Sequence, residues 1–126
     1  MLRMALKTDP RHSAALKAYA RLLDESFRDL PGALEASRRA FEANPLDPNV
    51  AWRYGRLLMD EAKDYNSSEI MLQKALDIDL DCVEALYDYG RLLEEIHQNH
   101  NAAERMFRRY VRFVLVVSIV SGTNLK

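Results

Sequence analysis

The phrase Tyr-[Ala/Gly]-Arg-Leu-Leu occurs three times in this chain, from Tyr19, Tyr54 and Tyr89, with a spacing of 35 residues both times. A fixed period of this length marks a helical repeat array, in which each unit buries its apolar face only against its neighbours. The register extends beyond the phrase. Ala5, Ala40 and Ala75 form one column, Leu6, Phe41 and Leu76 the next, and Pro10, Pro45 and Leu80 a fourth. Four aligned columns leave no room for coincidence.

Each period reads as two amphipathic helices. Pro48 suits a first helical position, and from there Val50, Ala51, Tyr54, Leu57 and Leu58 recur at three- and four-residue intervals to an end near Ala62. The second helix is predicted to open near Asn66, with Glu69 three residues on as a capping box, and to stop near Asp79. Equivalent pairs are predicted at about Ser13 to Ser26 with Pro31 to Ala43, and at Val83 to His97 with Asn101 to Phe113. Met1 to Lys7 reads as the last turns of a preceding second helix rather than a targeting segment, because Ala5, Leu6 and Pro10 keep the register. The chain thus divides into a partial unit over 1–10, units over about 11–45, 46–80 and 81–113, and an atypical apolar segment over 114–126.

The two ends break the pattern. Met1 falls partway through a unit, as a cut end would. After Arg109 the Ala column becomes Tyr110 and the Pro column Leu115. The run Val114 to Val120 is rich in β-branched residues that suit neither helix of a unit. Array ends normally carry a polar outer face, and this one is the reverse. The segment is expected to cover the final hairpin, to dock on another chain, or to mark a truncated gene product.

Composition narrows the function classes. A chain of 126 residues with formal charge −1 is one domain with no bulk attraction to DNA or anionic lipid. RNA association is disfavoured on the same ground. The longest apolar run, Phe113 to Val120, is far short of the roughly 20 residues a membrane span needs. A single cysteine, Cys82, fits a reducing intracellular compartment such as the cytoplasm and a packing role near a helix start.

The units resemble tetratricopeptide repeats. The likeness rests on the Tyr-Gly-Arg-Leu-Leu core, on a small residue early in each second helix (Ala33, Ser68, Ala103), and on the endings Ala-Phe-Glu-Ala-Asn-Pro and Ala-Leu-Asp-Ile-Asp-Leu. Trp52 and Tyr65 fall near that family's aromatic positions. The resemblance covers about Ala5 to Arg109. It departs by one extra residue per unit, between the two helices, and by loss of the terminal Pro at Leu80 and Leu115. Half-a-tetratricopeptide and pentatricopeptide arrays of RNA-processing factors share the helical-repeat character. The resemblance implies an all-α fold, a right-handed α-solenoid of stacked antiparallel hairpins. It also implies a noncatalytic protein-interaction or scaffold role, with first helices lining a concave groove for a peptide.

On that reading Arg21, Arg56 and Arg91 form a column with roughly one guanidinium per 10 Å, the spacing of stacked helices, which suits carboxylates of an acidic peptide. Lys17, Trp52 and Tyr87 should lie one turn earlier on the same side, and Arg53 adds a charge. The plainer reading is present in the same phrase, since Glu25, Asp60 and Glu95 follow each Arg by four residues and supply intrahelical pairs. Tyr19, Tyr54 and Tyr89 are expected to pack in the core. A third possibility makes the array a spacer or oligomer scaffold, self-associating through Phe113 to Val120.

No catalytic motif, cofactor site or metal site is expected. The chain has no Gly-rich phosphate loop, no His-Glu-x-x-His and no paired cysteines. His97 and His100 straddle a predicted helix end and read as solvated loop residues.

Overall fold

A computed structural model describes residues 10–122, and among these the chain is all-α: six helices and no strand. They are α1 (Pro10–Glu25), α2 (Leu30–Ala43), α3 (Pro48–Asp60), α4 (Tyr65–Ile78), α5 (Val83–Glu95) and α6 (His100–Ser121). The partial unit expected over 1–10 lies outside the described residues apart from Pro10, as do residues 123–126.

Every connection is four residues long: 26–29, 44–47, 61–64, 79–82 and 96–99. So short a link returns each helix along the one before it. The three connections inside the 35-residue units are copies of one another. In each, the first Leu of the Leu-Leu pair accepts two backbone N–H bonds (Leu22 from Ser26 and Phe27, Leu57 from Glu61 and Ala62, Leu92 from Ile96 and His97). The third loop residue then takes a left-handed conformation: Arg28 at φ 54°, Lys63 at 57° and Gln98 at 53°. Each first helix of a pair therefore ends in the same way, with a left-handed residue that lets the loop satisfy otherwise unpaired carbonyls.

The second helix of each unit starts on a side-chain cap at the same register. Asp29 accepts from Gly32 N–H at 3.1 Å, Asp64 from Ser67 N–H at 3.2 Å and Asn99 from Ala102 N–H at 3.2 Å. This corrects the Asn66–Glu69 capping box: α4 opens at Tyr65 and its cap is Asp64. Between units, Asp47 caps α3 by accepting from Asn49 N–H at 2.9 Å, and Cys82 holds the same place before α5 without a side-chain bond.

Packing is closest within the pairs α1–α2, α3–α4 and α5–α6, and continues from α2 to α3, from α4 to α5 and from α3 to α5. Small residues set the approach within a pair. Ala33, Ser68 and Ala103 are buried, and Ser68 Oγ donates to the Gly55 carbonyl at 2.7 Å. A Cβ added at Gly55 would stand 3.1 Å from Leu72, and one at Gly90 would meet the Phe107 ring at 2.7 Å. At the matching place in the first pair the facing residue is Ser37, and the helix carries Ala20. The apolar clusters straddle units: Leu57 of α3 joins Ala20, Leu23, Ala33 and Ala36, while Ala85, Leu86 and Leu92 of α5 join Leu72, Ala75 and Leu76. Each buried Leu contributes about 1.5–3 kcal/mol.

The segment from Val114 onward departs from expectation. It continues α6 without a break to Ser121, where Gly122, at φ 75°, donates its N–H to Ile119 and Ser118. β-Branched residues cost only tenths of a kcal/mol each in a helix, about 0.5 kcal/mol, and extending a formed helix needs no new nucleus. Nor does the segment cover the final hairpin, since Ile119 is 78% exposed and Val120 81% exposed.

Candidate functional site

The first helices α1, α3 and α5 carry all seven residues singled out for binding, and the fold divides them. Lys17, Arg21, Trp52 and Arg53 line one recess of about 670 Å³, together with Leu22, Glu25 and Glu84. Arg56, Arg91 and Tyr87 do not line it.

Arg56 and Arg91 are held between units. Arg91 Nη2 lies 3.1 Å from Asp60 Oδ1 on α3, and its Nη1 3.0 Å from Asp88 on its own helix. Arg56 Nη2 bonds Asp24 of α1, and Arg53 bonds both Asp24 and, at 3.0 Å, Glu25. Asp24 is 2% exposed, so two guanidinium groups share a buried carboxylate between the first and second pairs. The free, evenly spaced column of three guanidinium groups is thereby corrected. The expected intrahelical partners are also present, at 3.4 Å for Arg21–Glu25, 3.8 Å for Arg56–Asp60 and 3.4 Å for Arg91–Glu95. Arg21 has no neighbouring acid other than Glu25 among the ion pairs of the described residues, and is the exposed member of the column.

The remaining residues follow the same division. Lys17 Nζ lies 2.8 Å from Asp47, which ties α1 to the cap of α3. Trp52 donates its indole N–H to Asp88 Oδ2 at 2.6 Å, and the guanidinium carbons of Arg53 and Arg56 stand 5.0 and 5.6 Å from its ring centroid. Tyr87, at the same register as Trp52, turns the other way. Its ring packs on α6, 6.0 Å from Phe107 and 5.6 Å from Tyr110, so it does not continue the recess.

Burial and neighbours tune the charges. Burial pushes the Asp88 carboxyl above the ordinary aspartate range, against the opposing pull of Trp52 and Arg91. The hydrogen bond from Arg53 holds Glu25 below its ordinary range. Burial raises the Cys82 thiol to about 11, which suits a packing role and disfavours a reactive one.

Asp24 and Asp88 are the site residues that sequence reasoning missed. A signal existed: one register holds Ala18, Arg53 and Asp88, and another holds Asp24, Met59 and Glu94, so charge appears at buried positions out of keeping with the repeat. The tyrosine column also needs correction. Tyr54 and Tyr89 are half-buried, whereas Tyr19 is exposed. His97 and His100 are exposed and face single carboxylates, Glu69 at 3.3 Å and Glu94 at 2.8 Å. Among the described residues no group of three or more His, Cys, Asp or Glu could hold a metal ion, and no helix is long and apolar enough to cross a membrane.

The sequence matches no protein-family model, and no curated protein matches it.

Proposed function

We propose that the three helix pairs are tetratricopeptide-like units stacked in a right-handed α-solenoid, and that the chain is a noncatalytic protein-interaction module binding a peptide across α1 and α3. The recess that brings Lys17, Arg21, Trp52 and Arg53 together carries this reading. A peptide carboxylate would meet the Arg21 guanidinium, the least committed cation there, while an apolar side chain lies against Trp52 and Leu22. Glu25 and Glu84 on the rim make the recess mixed in charge, which favours one or two peptide carboxylates over a long acidic run. RNA has less support: Arg56 and Arg91 are neutralised by Asp24, Asp60 and Asp88, and the chain's charge is −1.

Trp52 is the single tryptophan, so its fluorescence reports on the recess. The test titrates the dilute protein with short peptides carrying one carboxylate side chain and one aromatic side chain, beside amide-capped controls lacking the carboxylate. The expected result is a saturable change in Trp52 emission that Arg21→Gln weakens at least tenfold. Emission that no peptide alters, or binding indifferent to Arg21→Gln, would reject the reading.

A further inference from the structure

The tyrosine column marks how one helix pair receives the next. Tyr54 of α3 sits on α2 with its ring 6.0 Å from Phe41. Tyr89 of α5 sits on α4, packs against the cluster containing Leu76, and places its hydroxyl between Glu69 and Gln73, donating at 3.0 Å and accepting at 2.7 Å. One register later, Phe41 and Leu76 become Val111, while Glu69 and Gln73 become Glu104 and Arg108. These three residues line an open groove of about 950 Å³ on α6, floored by Phe107 and Leu115 and edged by Glu94 of α5. The groove therefore has the make-up of a tyrosine receptor, and Val111 is 51% exposed within it.

Within the described residues, the helix with an uncovered tyrosine of this register is α1, where Tyr19 is 53% exposed. Charge matches in the same frame. Across the two internal junctions the column Arg reaches back 32 residues to Asp24 and 31 to Asp60. Counted from the place Arg21 would take in a fourth unit, those steps fall on Glu94 and Glu95. The side chains of Arg21 and Glu95 are 70% and 60% exposed. We infer that α1 of a second copy docks in the α5–α6 groove, with Tyr19 on Val111 and Arg21 against Glu94 and Glu95, so that copies stack head to tail. Such a contact is heterologous and leaves both outer faces free, so it propagates into short filaments instead of closing as a dimer.

This inference does not depend on peptide binding, although both involve Arg21; Val111 and Glu95 lie away from the recess and separate the two. The test follows mass against concentration by light scattering for the whole chain, with helicity checked by circular dichroism. Mass is expected to climb with concentration, and Val111→Glu is expected to weaken association at least tenfold while leaving Trp52 titrations unchanged. Arg21→Glu and Glu95→Arg should each weaken association, and an equimolar mixture of the two should recover it, since each then offers the charge the other lacks. A monomer at all concentrations would overturn the inference. So would assembly that survives Val111→Glu and fails with Ile119→Glu, which would move the contact to the projecting end of α6. Recovery absent from the mixture would overturn the head-to-tail pairing even if the chain self-associates.

Discussion

Arg91 reaches back 31 residues to Asp60, and the 3.1 Å ion pair between them joins the third helix pair to the second. Arg56 does the same for the second and first pairs through Asp24. Repetition of the Arg thus has a structural use at both described junctions, and Arg21 is the member of the column with no described junction to hold.

Removing the column one residue at a time should sort its members. Arg56→Ala leaves the buried Asp24 with one guanidinium instead of two and is expected to cost about 1–3 kcal/mol. Arg21→Ala removes a surface pair and should cost less than about 0.5 kcal/mol. Urea unfolding followed by circular dichroism measures both. Equal losses at the two positions would contradict the division of roles.

The left-handed loop residue offers a gain. Lys63 stands at φ 57°, a conformation that costs an L-residue about 1–2 kcal/mol and glycine little. Glycine's extra unfolded-state freedom takes back about 0.5–1 kcal/mol. Lys63→Gly is therefore expected to stabilise the chain by about 0.5–1 kcal/mol, visible as a raised melting temperature. A lowered one would show that the lysine side chain matters more than its backbone.

Much of this was legible in advance, and the reasons differ by feature. The helix pairs follow from apolar spacing, which a helix face displays directly in the sequence. The caps Asp29, Asp64 and Asn99 also sit in the 35-residue register, but Asn66 and Glu69 matched a familiar capping pattern and drew attention two residues too late. The inter-unit ion pairs were hidden for another reason. Periodicity within one helix says nothing about partners about 30 residues away, so the mixed register of Asp24, Met59 and Glu94 marks the position as unusual without naming the arginine it pairs with. At the end of α6, residue preference alone points away from a helix, and the cooperativity of an existing helix outweighs it.

Trp52 and Asp88 provide an internal pH reporter. Burial raises the folded-state pKa of Asp88 above its reference value of 3.8, so the folded chain holds this proton more tightly than the unfolded one. Its contribution to stability is present in full below 3.8 and is lost as pH rises through the folded pKa. Because the indole N–H lies 2.6 Å from the carboxylate, Trp52 emission should change in one step at a pH above 3.8. Asp88→Asn should abolish that step together with the accompanying loss of stability. A step that persists in Asp88→Asn would assign the titration elsewhere.

The clamping role of the repeated arginine is tested most directly by a double-mutant cycle on Arg56 and Asp24, with Arg56→Ala, Asp24→Ala and the pair compared by urea unfolding. The expected coupling is about 1–3 kcal/mol, because the pair bridges two helix hairpins and one partner is buried. Losses that simply add, to within about 0.5 kcal/mol, would contradict it.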